Sequence, residues 1–296
     1  MSIIDDVQIP LPLHHWERFP QLRLAESSKA TDLAWSIGLG GSSRILVDDF
    51  DQVGQGHLGI FGIDQARSAD RSASDGPALV KEQMSELLSF MVSQQCQKNS
   101  PRRLNLTVVD PFKTMNDSIS RLKHLQDGQL IQMGSLRGPK SGSKSEPEAF
   151  LKKFAASLKE LSDTAKSRSR LPTSRTLLVI NRLDLTLMLA EKALSSTQCS
   201  RLKKSLRYLM ANGPKVGTHL VVTSCDPSTE VIPAPERDSF RRIGFRSSRE
   251  GSVLTVGDRT LANLDPKIHD SGKYASDGEA QWFKTFDLTN YPFVGE

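Results

Sequence analysis

The chain has 296 residues, 37% apolar and 25% charged, and its 39 Lys and Arg against 34 Asp and Glu leave a net charge of +5. This length fits one large α/β domain or two small ones, and the composition is that of a globular protein rather than a disordered or fibrous one. No apolar run approaches the roughly 20 residues that a membrane-spanning helix needs, and the mild basic excess falls short of a DNA-binding signature.

In chain order, residues 1–30 are rich in Pro and polar residues without periodicity, so they read as an extended lead-in packed on a single domain spanning 31–296. Trp16 and Phe19 are its expected anchors. The opening "MSIIDDVQIP" has no basic-then-apolar signal layout. A cytoplasmic location is therefore expected, at the inner face of a membrane if a partner or a longer parent chain holds it there.

Short apolar runs broken by Gly-Gly and Asp-Asp in "DLAWSIGLGGSSRILVDDF" predict a hairpin or two edge strands, and "HLGIF" (57–61) a central strand. Val80, Met84, Leu87, Leu88, Met91 and Val92 recur at helical spacing and predict a helix over 77–95, started by Asp75-Gly76-Pro77. "LNLTVVD" (104–110) reads as a buried strand and 134–147 as a Gly/Ser/Lys loop. Over 148–166, Phe150, Phe154, Leu158 and Leu161 form one apolar stripe, with Ser145 and Glu148 spaced as a reciprocal cap.

Strands at 176–180 and 219–223 and a helix at 201–213 complete the pattern. Strands alternating with helices predict an α/β three-layer sandwich, a mostly parallel sheet covered on both faces. Ligands of such sheets bind at the carboxyl ends of the strands, which here are Gly62, Asp110, Asn181 and Ser224 onward.

An NTPase of this architecture needs a turn of the form GxxxxGK[ST], whose backbone amides wrap the phosphates while Lys neutralises them and the hydroxyl holds Mg²⁺. Laid on Gly62, that pattern puts Arg67 at the second glycine, Ser68 at the lysine and Ala69 at the hydroxyl. A second requirement is acids at the end of a central strand, to organise Mg²⁺ and orient water. "LLVINR" supplies Asn181, which carries no charge, and Arg182, which stays protonated and cannot act as a base. Arg182 is expected to pair with Asp110 or Asp184 and to fill the space that a nucleotide would take.

Taken together, "IGLGGSSRILVDDF…GHLGIFG", "LNLTVVDPFK", "LLVINRLDL" and "GPKVGTHLVVTSCDPSTEVIPAPERDSFRRIGFRSSREGS" resemble the FtsK/SpoIIIE branch of the RecA-like motor ATPases over most of 32–285. The departures fall at Ser68, Ala69, Asn181 and Arg182. "VQIPLPLHHWERFPQL" ahead of "WSIGLGG" is similar to the lead-in between tandem ATPase domains of type VII secretion motors, whose carboxyl-terminal domains are often degenerate.

The resemblance implies a RecA-like fold and a catalytically inactive domain, without bound ATP or Mg²⁺. Such a domain would recognise a secreted peptide or a neighbouring active motor domain. The alternative is an accessory subunit of a DNA translocase or mobile-element apparatus that binds DNA backbone, and a third reading retains nucleotide through Arg67 or Arg71.

Arg241, Arg242, Arg246 and Arg249, gathered around two phenylalanines in "FRRIGFRSSRE", are candidate contacts for an acidic partner or an anion, and the resemblance implies that Arg246 or Arg249 would face a neighbouring subunit's nucleotide in an active ring. "TAKSRSRLPTSR" (164–175) reads as a helix-to-strand loop. The six histidines show no metal-ligand spacing, and Cys96, Cys199 and Cys225 form neither a CxxC pair nor a zinc pattern, so free thiols are expected.

Overall fold

A computed structural model describes residues 33–40, 45–50, 56–62, 76–126, 129–133, 145–228, 230–237, 239–264, 271–276 and 278–286. The lead-in with Trp16 and Phe19, the positions Arg67, Ser68, Ala69 and Arg71, and the loop over 134–144 lie outside the described residues.

The strands are β1 (Ala34–Gly40), β2 (Ile45–Asp49), β3 (His57–Phe61), β4 (Leu104–Val109), β5 (Leu130–Ile131), β6 (Arg175–Ile180), β7 (Thr218–Ser224), β8 (Phe240–Gly244), β9 (Ser271–Ser276) and β10 (Glu279–Lys284). They form one sheet in the order β2-β1-β10-β9-β8-β3-β7-β6-β4-β5. From β8 to β5 every pairing is parallel, and the pairings from β8 out to β2 are antiparallel. The helices are α1 (Gly76–Lys98), α2 (Ser145–Ser167), α3 (Leu183–Ala193), α4 (Ser196–Asn212), α5 (Ala234–Arg237) and α6 (Arg249–Val256).

The continuous apolar run of β6 follows from its place between β4 and β7, where both faces are covered. Leu177 and Val179 pack with Met84, Leu88 and Met91 of α1, while Leu178 and Ile180 pack with Phe154 of α2 and Leu206 of α4. Period-two alternation thus divides one strand between two cores, which makes the architecture the predicted three-layer sandwich, consistent with a RecA-like fold.

The hairpin read at 34–49 is β1 with β2, at the sheet's edge. Of the residues predicted as a loop over 134–147, Ser145–Pro147 belong to α2. Proline suits a first turn, whose amides have no partner inside the helix. Similarly, Arg175 leaves the predicted loop and opens β6, donating its backbone N–H to Arg103 O at 2.8 Å.

Helix α4 starts five residues before its predicted position, since the reciprocal cap of Ser195 and Gln198 lies ahead of its apolar stripe. Helix α1 is tied to the antiparallel side by side-chain amides. Gln94 accepts from Ser36 N and donates to Ser36 O, both at 3.2 Å, and Gln95 donates to Leu33 O at 2.9 Å.

Candidate functional site at the carboxyl ends of the parallel strands

Four strand ends lie side by side. Val109 and Ile180 are in register between β4 and β6, Ile180 and Val222 between β6 and β7, and Gly62 N donates to Ser224 O at 3.3 Å across β7 and β3. The fold therefore brings Gly62, Asp110, Asn181, Arg182 and Ser224 to one edge of the sheet, as the sequence predicts for a ligand site.

At the centre is the Asn181 carboxamide, fully buried. Its Nδ2 lies 3.0 Å from Asp110 Oδ1, 2.7 Å from Thr114 Oγ1 and 3.3 Å from Ser85 Oγ, and its Oδ1 accepts from Thr223 Oγ1 at 2.6 Å. Asp110, also buried, accepts from Thr114 N at 3.3 Å through Oδ1 and from Met115 N at 3.1 Å through Oδ2. One carboxylate is thus matched by one amide and two backbone donors, and the amide is engaged at both ends. An acid at 181 would instead face Asp110 across 3.0 Å, a repulsion that a buried site relieves by binding a cation or by keeping one carboxyl protonated.

Arg182 adopts a left-handed conformation (φ 61°, ψ 60°) at the start of α3. Its N–H donates to Thr223 Oγ1 at 2.8 Å, so that hydroxyl ties both residues of the pair to β7. Of the two carboxylates expected for its guanidinium, the structure selects Asp184. Nε reaches Oδ1 at 3.1 Å and Nη2 reaches Oδ2 at 2.9 Å, a two-pronged pair in the first turn of α3. Ser224 closes a small turn, donating to Asp226 O at 2.7 Å and accepting from Asp226 N at 3.0 Å.

The four arginines of "FRRIGFRSSRE" do not form one surface. Arg241 is fully buried in a salt bridge with Asp48 and lies 5.1 Å over the Phe50 ring, so the expectation that it meets a partner is corrected. Trp35 Nε1 and Tyr274 OH also donate to Asp48, at 2.8 and 2.7 Å. Burial and the adjoining Asp48 charge push the Tyr274 phenol above its ordinary range. Arg242 is half-buried and reaches Leu254 O at 3.4 Å, Arg246 is half-buried and Arg249 is exposed. Alternation along β8 explains the division, since residues 241 and 243 share one face and 242 the other.

Sequence reasoning missed Ser85, Thr114 and Thr223, which complete the Asn181 network, and Asp48, which claims Arg241. Thr223 was findable as the last residue of "HLVVT", beside Asn181 once β6 and β7 pair. Thr114 and Ser85 reach the site only through a turn and a helix face. Among the described residues, no group of three or more His, Cys, Asp or Glu is placed to hold a metal ion, and Cys96, Cys199 and Cys225 form no disulfide.

No protein-family model matches this sequence, and no curated protein matches it. Solved structures do. The cytoplasmic domain of the type VII secretion ATPase EccC from Thermomonospora curvata matches with a TM-score of 0.64 at 16% identity, over 100% of this chain and 33% of that one. The pCW3 conjugation coupling protein TcpA, solved with ATPγS, matches at 0.58 and 16%, over 96% of this chain and 72% of that one. ATPases 2 and 3 of the Thermomonospora curvata EccC, solved with a signal sequence peptide, match at 0.57 and 13%, over 94% and 44%. This chain spans a third of the first of these proteins, and at such identities the likeness is one of fold. The fold is that of the FtsK/SpoIIIE-type ATPase domains of type VII secretion and conjugation coupling proteins.

Proposed function

We propose that this chain is an ATPase-like domain that does not hydrolyse ATP and works as a recognition or regulatory module of a type VII-like secretion motor on the cytoplasmic side. The observation that carries the reading is the Asn181 carboxamide, held at both ends by Asp110 and Thr223 where the family resemblance calls for an acid. With an amide and a guanidinium at 181 and 182, this strand end supplies neither the carboxylate that organises Mg²⁺ nor the acid that orients an attacking water. In support, the segment from Gly62 to Gly76 contains no lysine to neutralise a phosphate.

EccC has been solved with a signal sequence peptide. On the present reading this domain, too, binds a peptide of a secreted substrate, or a neighbouring motor domain. The likeness to a conjugation coupling protein supports a second reading, DNA-backbone binding beside an active translocase. Salt separates the two, because phosphate contacts weaken steeply with ionic strength and an apolar peptide site responds little.

The deciding experiment is calorimetric titration with ATP-Mg²⁺, joined to thermal unfolding, up to about millimolar ligand. No saturable heat and no rise in Tm is the expected result. Saturable binding with a raised Tm overturns the reading.

A further inference from the structure

The opposite edge of the parallel sheet, where β4, β6 and β7 begin, carries a set of cations unrelated to the strand-end site. Arg102 lies in the turn before β4, Arg168 and Arg170 in the loop before β6, Lys215 in the turn before β7, and Lys166 and Arg207 near the ends of α2 and α4. Contacts between these segments join them into one surface. Arg175 N bonds Arg103 O, Arg168 Nη1 reaches Val216 O at 3.4 Å, and Lys166 Nζ sits 5.1 Å over the Tyr208 ring of α4.

Arg102, Lys166, Arg170, Arg207 and Lys215 are exposed and Arg168 is half-buried. Among the described residues, the ion pairs of this region take up only part of the charge. Lys166 pairs with Asp163 at 3.0 Å and Lys203 with Glu191 at 2.6 Å, leaving Arg168, Arg170, Arg207 and Lys215 outside them.

In the middle stands an apolar side chain. Leu171 is 55% exposed, follows Arg170 directly, and lies beside Gly217, whose backbone places an added Cβ 3.5 Å from Leu171 Cδ1. A nucleic-acid backbone would use the cations and leave this leucine idle, and the half-buried Tyr208 ring at this face is covered by Lys166 rather than open to a stacking base. An anionic lipid surface uses both. Phosphate and carboxylate headgroups meet the guanidinium and ammonium groups, and the leucine enters the boundary between headgroups and acyl chains.

We infer that this edge is a peripheral membrane-docking face, with Arg168, Arg170 and Lys215 bound to anionic lipid headgroups and Leu171 inserted between them. The face then lies on a bilayer, and among the described residues no helix is long and apolar enough to cross one. The strand-end site is left facing away from the lipid. Docking does not require nucleotide, so this inference and the proposed function stand or fall separately.

The test is flotation of the full chain with vesicles of phosphatidylcholine alone, and with about 30% phosphatidylserine added. Binding is expected only to the anionic vesicles. The double variant R168E/R170E should weaken it at least about tenfold, and Leu171→Ser should weaken it severalfold without changing its salt dependence. Arg259→Glu, an exposed charge reversal beyond α6, should leave it unchanged, provided each variant melts like the parent.

Three results overturn the inference: no binding to anionic vesicles, equal loss in R168E/R170E and Arg259→Glu, or binding to duplex DNA under conditions where vesicles are not bound. The last reassigns the face to nucleic acid.

Discussion

The Asn181 side chain joins the ends of two neighbouring parallel strands by donating to Asp110 Oδ1 at 3.0 Å, while its own oxygen accepts from Thr223 on the third. One uncharged amide thereby ties β4, β6 and β7 together at the edge where this fold binds ligands. The same three residues make the site's chemistry and its stability inseparable.

Asn181→Asp is therefore expected to destabilise the protein by about 2–4 kcal/mol, since the Thr114 and Ser85 hydroxyls can turn but the Asp110 carboxylate cannot become a donor while ionised. Urea unfolding at pH 7.5 measures it. If millimolar Mg²⁺ restores part of the loss in the variant and does nothing to the parent, the carboxylate pair has recreated a cation site; no loss at all would show that the amide's contacts are dispensable.

The Asp48–Arg241 pair is buried at both ends, and Arg241 gains no compensating solvent if its partner is removed. Asp48→Ala should cost about 3–5 kcal/mol, whereas a double Asp48→Leu, Arg241→Met replacement should cost less, because neither charge is then left alone and the loss that remains is that of the Trp35 and Tyr274 hydrogen bonds. A double-mutant cycle by chemical denaturation reads the difference.

His57 donates through Nε2 to Met210 O at 2.9 Å and accepts from Leu220 N through Nδ1 at 2.9 Å, an arrangement that requires the neutral ring. Burial first, then the nearby His219, lowers its pKa to about 3. The unfolded chain takes up a proton below pH 6.5 that the folded chain refuses until about pH 3. The stabilising contribution is thus present above pH 6.5 and lost as pH falls across that window, with a slope of up to about 1.4 kcal/mol per pH unit. His57→Gln cannot titrate, so its stability should fall less steeply between pH 6.5 and 4. Parallel curves for variant and parent would refute this.

Gly38 sits at the irregularity in the β1–β2 register, and a Cβ there would collide with the Lys284 carbonyl of β10. Backbone cannot swing away as a side-chain tip can. Gly38→Ala should cost about 1–3 kcal/mol and loosen the antiparallel side first, seen as faster amide exchange in β1 and β10 than in β6.

Much of this was legible in the sequence for reasons of period and composition. The 3.6-residue apolar stripes of α1 and α2 and the apolar runs within β4, β6 and β7 need no partner to be read, and they suffice for a parallel α/β sandwich. The end of "LLVINR" was equally visible, because a strand buried on both faces stops where polar residues begin. Helix α3 and the β9–β10 hairpin went unread. The first directly follows β6 with almost no turn between them, and the strands of the second carry Ser, Lys, Gln and Glu among few apolar residues.

By itself, then, the sequence determined the class of fold, the residues that end its parallel strands, and the uncharged amide at Asn181. Only the tertiary structure decided which groups meet there. Arg182 turned to Asp184 because the left-handed turn into α3 aims it at its own helix, and Asp110 was left to Asn181 because β4 and β6 are neighbours in register. Arg241 was drawn inside by Asp48, which lies 193 residues earlier in the chain. Pairing across such distances is set by strand order and register, and no local pattern of residues encodes it.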